Sequence, residues 1–470
     1  MRSRMNNQFE FSFQPSSLKL TNDYYAKYEA ISLILDGHPE IVDAVHGDLA
    51  QALEEAAVRD SRGAKFKFTS DTILRMVIGQ IVEGLSLRQI IIRIDDSNFL
   101  RQFVRIYNGP MIDFTAYCRL KNSIRPETWK QMNDLLAQAA LAEHCIEGQK
   151  LRIDTTAVET NIHWPTDSSL LWDTYRTLGR TIERIRGIDP LVVGEKRLLL
   201  KKVKRLHQRI ARKAAKHPKA REALKPLYLR LFERVENILQ WSDDIACKLV
   251  PRIAAGRYGP LEAATLESCR KELLRFRALG TRVLDQACRR IILDEAVPNS
   301  EKIFSLFEPH TELLKRGKAD QPIEFGHMIQ IQQVEAKFIT DYEVFQTKPV
   351  EYELLEPTLQ RHKTLFGQYP DELSADKGYY QSMEQIDRLG RIIEMVAIAK
   401  KGRRTQEQIE RETDPAFRHA QRFRAGVEGT ISFLKRVLGL FRCYSKGWEH
   451  YVATVGATVL VHNLLVLVRC

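Results

Sequence analysis

Lys150-Leu151-Arg152-Ile153-Asp154-Thr155-Thr156-Ala157-Val158 is the stretch on which the fold turns. Apolar and polar residues alternate in it and β-branched side chains dominate, the pattern a pleated strand requires. The two-residue period puts Asp154 on one face with Arg152 and Thr156. A carboxylate in mid-strand is out of place unless it points into a site.

Upstream of this strand, residues 1–148 read as helical, with apolar residues at helix spacing in Tyr28 to Leu35 and in Ile73, Val77 and Ile81. Ser86 followed three residues later by Gln89 is a capping box, so one helix ends at Gly84 and another starts at Ser86. A helix-turn-helix would offer Arg88, Arg93 and Arg101 to phosphates. A plain αα-hairpin reads the same way.

Downstream, residues 166–300 return to helix spacing without a convincing strand. Ten Lys and Arg residues and no acid lie between Lys196 and Lys216. Leu199, Val203, Leu206 and Ile210 make this an amphipathic helix with a cationic outer side, offering Lys201, Lys202, Arg205 and Arg209 to a DNA backbone or simply to water. Asp167 reads as a helix N-cap.

Strands resume after Pro298, at Lys302 to Leu306, Glu324 to Val334 and Lys337 to Val344, followed by a helix near Leu355 to Phe366. A short apolar approach, Leu373-Ser374-Ala375, ends at Asp376. Tyr380 to Leu389 reads as a helix and Ile392 to Ala399 as a buried strand. Lys400, Lys401, Arg403 and Arg404 form a basic loop, and Phe417 to Val468 is helical again. With 166–300 set aside, the fold class is α/β: a mixed sheet with flanking helices (149–165 and 301–470), joined to an all-α N-terminal domain and interrupted by an all-α insertion.

Bulk properties agree with a folded, polyanion-binding chain. At 470 residues it exceeds one ordinary core, 44% of it is hydrophobic, and Gly and Pro are sparse. A net charge of +12 suits a nucleic-acid partner, although solubility alone could account for it. Seven scattered cysteines without a CxxC pair indicate neither a disulfide framework nor a zinc cluster. The start, MRSRMNNQFEFSF, lacks a signal h-region, so the cytoplasm is expected. Tyr451 to Val468 carries no formal charge but contains His462 and Asn463, which favours a buried core helix over a membrane span.

Cutting a phosphodiester in line calls for two hard cations about 3.5–4 Å apart, served by carboxylates from separate elements. Asp154 on a strand and Asp376 at a strand end are two such acids. Arg424, Glu428 and Lys435 are spaced by four and seven residues, which returns them to within about 40° of one another on a helix. That face could present an acid and two cations to a bound backbone, or Arg424 and Glu428 could be an ordinary surface pair. Val427, Ile431, Leu434 and Leu438 form the stripe that would pack this helix on the sheet. Asp341, Glu343, Asp371 and Glu372 read as solvent-facing charges, and histidines 310, 327 and 362 as structural.

These residues resemble the catalytic core of bacterial insertion-sequence DDE transposases, whose acidic helix carries Y-(2)-R-(3)-E-(6)-K. Gln421, Arg424, Glu428 and Lys435 keep that spacing, with Gln421 in place of the tyrosine. The resemblance extends to Arg152-Ile153-Asp154-Thr155-Thr156, to Ala375-Asp376-Lys377-Gly378-Tyr379, to Lys315-Arg316-Gly317-Lys318, and to Leu74-Arg75-Met76 and Gly84-Leu85-Ser86 among the N-terminal helices. It implies an RNase H-like catalytic domain in which Asp154, Asp376 and Glu428 hold two Mg²⁺ or Mn²⁺ ions, while Lys377, Arg424 and Lys435 bind phosphates. The implied reaction is cleavage at transposon ends and transfer of the freed 3′-OH into target DNA. The implied partners are double-stranded DNA, as terminal inverted repeats and target, and a second copy of the chain. No membrane or small-molecule cofactor is implied, and the protein would be cytoplasmic and nucleoid-associated. The spacing of 222 positions from Asp154 to Asp376 exceeds a minimal core, and the helical insertion accounts for it. A nuclease without strand transfer and a DNA-binding protein with a relic site remain the alternative readings.

Overall fold

A computed structural model describes residues 16–59, 68–216, 221–315 and 323–469. The N-terminal stretch read for a signal and Arg316-Gly317-Lys318 lie outside the described residues. Among the described residues seven helices, α1 (Lys19–Gly37), α2 (Pro39–Arg59), α3 (Ser70–Val82), α4 (Leu87–Asp95), α5 (Asn98–Phe103), α6 (Phe114–Asn122) and α7 (Pro126–Ala142), precede strand β1 (Lys150–Thr160). Five helices follow: α8 (Asp167–Ile188), α9 (Pro190–Val193), α10 (Leu200–Lys216), α11 (Arg221–Ala254) and α12 (Pro260–Ile291). Next come β2 (Glu312–Lys315), β3 (Ile323–Gln333), β4 (Ile339–Val344), α13 (Leu355–Phe366), β5 (Glu372–Ala375), α14 (Met383–Leu389) and β6 (Met395–Ile398). The chain finishes with α15 (Gln406–Thr413), α16 (Pro415–Arg436), β7 (Arg442–Cys443) and α17 (Trp448–Leu467).

Two compact units result, one from 1–160 with 326–470 and one from 161–325. The first is a mixed α/β unit. In its sheet β1 is central, antiparallel to β3 and parallel to β5, with β4 antiparallel to the far side of β3 and β6 parallel to β5. The two residues of β7 pair with the end of β1. The strand β3 begins in the second unit, where β2 is its neighbour.

The N-terminal helices do not form the separate domain expected for 1–148. Tyr28, Ile31 and Leu35 of α1, Trp129 and Leu136 of α7, Leu151 and Ile153 of β1, and Val455 and Val459 of α17 belong to one continuous core. The reason lies in α7, whose buried face packs on α17 and on β4 rather than only on its helical neighbours. Gly84 takes a positive φ and the capping box at Ser86 is present, as the sequence suggests.

Helix α17 is, among the described residues, the one helix long and apolar enough to cross a membrane, and most of it is buried in the unit. Its polar residues have internal partners. Asn463 accepts from the Ile339 N–H at 3.0 Å and donates to the Ile339 carbonyl at 2.8 Å, while His462 Nε2 lies 3.0 Å from the Lys337 carbonyl. The backbone of Ile339, at the start of β4, is thereby satisfied by a side chain of a helix.

The second unit is helical apart from β2 and the start of β3, and it extends past the expected 166–300 at both ends. Leu171, Leu178, Leu231, Val235, Leu273 and Val283 centre its core. Lys302 to Leu306 is not a strand. The Ile303 backbone exchanges both its hydrogen bonds with the Gln286 side chain, at 2.8 and 3.2 Å, and so needs no ladder partner. Asp167 is not an N-cap either: Thr166 caps α8 together with Ser169, and Asp167 pairs with Arg290 at 2.8 Å.

Candidate active site

The pairing of β1 with β5 ends at Ile153↔Ala375, so Asp154 and Asp376 are the next residues on two adjacent parallel strands. All four residues of β5 are buried, and the chain surfaces at Asp376, which is exposed and starts a tight turn closed by Tyr379 N–H to the Asp376 carbonyl at 3.0 Å. Strand ends of this kind are where open α/β sheets gather ligands.

Helix α16 brings the third acid. Pro415 and the Asp414 carboxylate, which accepts from the N–H groups of Ala416 at 2.8 Å and Phe417 at 3.2 Å, start it. Val427, Leu434 and Leu438 are buried and Ile431 is half-buried. Polar contacts fix its depth on the sheet. Ser374 donates to the Ala420 carbonyl at 3.0 Å, Gln333 donates to Thr430 at 2.9 Å, and Arg152 donates to the Phe423 carbonyl at 2.7 Å. Arg152 also lies over the Phe423 ring, and burial lowers its pKa to about 10. Gly426 leaves room for this arrangement, because a Cβ there would overlap the Arg152 guanidinium and displace it. Gln421, which stands where the resembling pattern has tyrosine, donates to the carbonyls of Ala375 and Ala397 at the ends of β5 and β6.

Docked in this way, α16 places Arg424 between two acids, 2.8 Å from Glu428 and 3.8 Å from Asp154. The i,i+4 pair does form, but Arg424 is only 16% exposed and reaches the sheet as well. Burial is the main cause that raises the Asp154 pKa to about 6. The Thr155 N–H and Arg424 oppose that rise, and Asp376 and Glu351 add to it. Beneath the acids Tyr379 is fully buried, its hydroxyl accepting from Gln330 at 3.3 Å. Burial, with Asp154, Glu351 and Asp376 nearby, pushes its pKa well above the usual value.

Among the described residues no group of three or more His, Cys, Asp and Glu side chains stands ready to hold a metal ion. The donor chemistry nonetheless suits a hard divalent cation. Asp154 is a largely buried carboxylate whose charge is opposed by its surroundings, with a second carboxylate beside it, and a cation is what would relieve both. Glu428, 64% exposed, would complete the set by turning from Arg424.

The remaining candidates fall into three groups. Lys377 is exposed beside Asp376, and Lys435 is half-buried in the last turn of α16. Since Ala375 pairs with Ile398, the loop after β6 leaves the same end of the sheet as Asp376. There Lys401 and Arg403 are exposed, while Arg404 is held by Glu412 at 2.7 Å, which also accepts from the Lys400 N–H at 2.8 Å. Arg88 is exposed on α4 over the Phe114 ring, and Arg93 lies 3.7 Å from Glu83. Arg101 is not available as expected, because it is tied to Asp95 and to the carbonyls of Tyr107 and Gly109. In the second unit Lys201, Lys202, Arg205 and Arg209 line the exposed side of α10, with Val203 and Ile210 buried behind them.

Asp341 is not the solvent-facing charge expected of it. It is buried and paired with both Lys130 and Arg361, and Arg361 also reaches Glu343 at 3.1 Å. Glu372 is likewise buried, 3.3 Å from Lys150, whereas Asp371 is exposed. His310, His327 and His362 lie against Glu308, the Gln346 carbonyl and the Gly148 carbonyl respectively, and form no ligand cluster. Sequence reasoning missed Glu351, whose carboxylate accepts from the Thr155 hydroxyl.

No family model, curated protein or solved structure matches this chain.

Proposed function

We propose that the chain is a DDE transposase with an RNase H-like catalytic domain, which cuts DNA at transposon ends and joins the freed 3′-OH to target DNA. The observation that carries this reading is Arg424, which contacts both Asp154 and Glu428 and so links the acid on β1 to the acid on α16. The mixed sheet, with Asp154 on its central strand and Asp376 after the parallel neighbour, supports the RNase H-like assignment.

Asp154, Asp376 and Glu428 would hold two Mg²⁺ or Mn²⁺ ions, which when bound supply charge to activate the attacking oxygen and to stabilise the leaving one. The chain's own residues do the rest. Arg424, freed from Glu428, faces the phosphate backbone with a forked donor suited to two oxygens. Lys377 follows Asp376 at the strand end and Lys435 lies in the last turn of α16, and the loop of Lys400, Lys401, Arg403 and Arg404, the last of them paired with Glu412, leaves the same end of the sheet as Asp376. Arg88 and the α10 residues Lys201, Lys202, Arg205 and Arg209 would each add sequence-independent contacts to DNA phosphates. The partners are double-stranded DNA, as terminal repeats and target, and a second copy of the chain, because two ends must be joined. The working compartment is the cytoplasm, on the nucleoid.

The test incubates purified protein and Mg²⁺ with DNA that carries the repeats flanking its gene and a supercoiled target. Joined products that vanish in Asp376→Asn support transposition. Cleavage without joining assigns a nuclease, and binding without either reaction in a folded preparation removes the catalytic reading.

A further inference from the structure

Asp154 and Asp376 sit at a fork. Ladder pairing between β1 and β5 stops at Ile153↔Ala375, while β1 continues against β3 as far as Glu159↔Gly326. Beyond the fork no β1–β5 rung sets the separation of the two carboxylates, and two like charges in a half-buried place repel. A pair of acids that must share cations needs its spacing held.

Glu351 spans that fork. It begins the short 3₁₀ turn Glu351–Leu354 that feeds α13. One of its oxygens accepts from the hydroxyl of Thr155, the residue after Asp154. The other lies against Gly378, two residues after Asp376, so closely that a Cβ there would overlap it. One oxygen is thus hydrogen-bonded to the β1 side of the fork and the other packs on the β5 side, where the turn that bears Glu351 meets the turn Lys377–Tyr379. Fully buried Tyr379 closes the floor.

We propose that Glu351 is a positioning residue of this site, a strut that joins Thr155 on β1 to the Gly378 turn after β5 and fixes the spacing of Asp154 and Asp376. This rests on the metal-site reading above. It assigns Glu351 no contact with metal or DNA, and it gives a reason for glycine at 378 that backbone conformation does not require, since no positive φ is found there.

The experiment uses the full chain, four single variants and one double variant. Glu351→Ala removes the strut, Thr155→Val removes its donor, and Gly378→Ala displaces the carboxylate while leaving it in the chain. Glu351→Gln keeps an acceptor oxygen and the shape. Two readouts are taken without DNA: amide hydrogen exchange across 376–380 in metal-free protein, and Mn²⁺ binding by calorimetry.

The expected result is faster exchange at the turn and roughly tenfold weaker Mn²⁺ binding in the first three variants, the usual scale for a lost supporting contact. Thr155→Val combined with Glu351→Ala should be no worse than Glu351→Ala alone, and Glu351→Gln should retain most of the affinity. Unchanged exchange, or additive effects in the double variant, overturns the strut. Loss of one Mn²⁺ equivalent in both Glu351→Gln and Glu351→Ala overturns it in favour of direct ligation. Should Glu351→Ala fail to fold, Gly378→Ala and Thr155→Val carry the same comparison. If the wild-type protein binds no Mn²⁺, the metal reading fails while the exchange data still decide the strut.

Discussion

Replacing Asp154 with asparagine should make the metal-free protein more stable at neutral pH, although it removes a carboxylate central to the proposed chemistry. Folding raises the Asp154 pKa from 3.8 to about 6, chiefly through burial. An acid whose pKa is raised binds its proton more tightly when folded, so its contribution to stability is complete below the unfolded value and is lost as pH rises through the folded one. A shift of about two units corresponds to ~3 kcal/mol as an upper figure. Asparagine keeps an acceptor for the Thr155 N–H, which lies 2.8 Å from Asp154 Oδ1, and carries no charge to desolvate. The stability difference between variant and wild type should be near zero at pH 4, grow through pH 5 and level off above about pH 6.5. Urea unfolding of the full chain in chelator at several pH values measures it. Added Mg²⁺ should then stabilise the wild type and not the variant. A difference that stays flat between pH 4 and 7.5 would refute the claim that burial of a charged Asp154 destabilises the fold.

Gly426→Ala should lower stability by about 1–3 kcal/mol through overpacking against Arg152, read by thermal unfolding, and should reduce DNA joining because α16 carries Arg424 and Glu428. Asp341→Asn should cost about 2 kcal/mol or more, since it leaves Lys130 and Arg361 without their shared buried partner; a loss under 0.5 kcal/mol in urea would discount that pair. Changing Lys201, Lys202, Arg205 and Arg209 together to glutamine should weaken binding to any DNA sequence and reduce the salt slope by up to about 3.6, measured by fluorescence anisotropy across salt concentrations. An unchanged slope would leave the α10 face a solvated surface.

How far the sequence reveals the fold depends on how local each cause is. Strand β1, the capping box at Ser86 and the packed stripe of α16 arise from residues a few positions apart, and each is visible in period and spacing. Asn463 and His462 inside an apolar run marked α17 as a core helix for the same reason. Long-range causes were not visible. Glu351 reaches Thr155 across 196 residues from a turn with no periodicity, and its neighbours Tyr352 and Glu353 give no sign of it. Asp341 looked like a strand charge because Lys130 and Arg361, which bury it, come from α7 and α13. The joining of α1 to α7 with the sheet is likewise a tertiary fact, set by the face of α7 that meets α17. Strands β2 and β7, at four and two residues, are too short to show an alternation.

The place of α17 in the core also sets a clock on biogenesis. Helix α7 leaves the ribosome roughly 300 residues before its packing partner, an interval of ~15–60 s at ~5–20 residues per second. During that interval Trp129 and Leu136 of α7 lack the helix that will cover them, while the second unit, contiguous in sequence, can close on its own helices. Glu428, the last of the three proposed acids, is also made late, and the apolar helix α17 emerges after it.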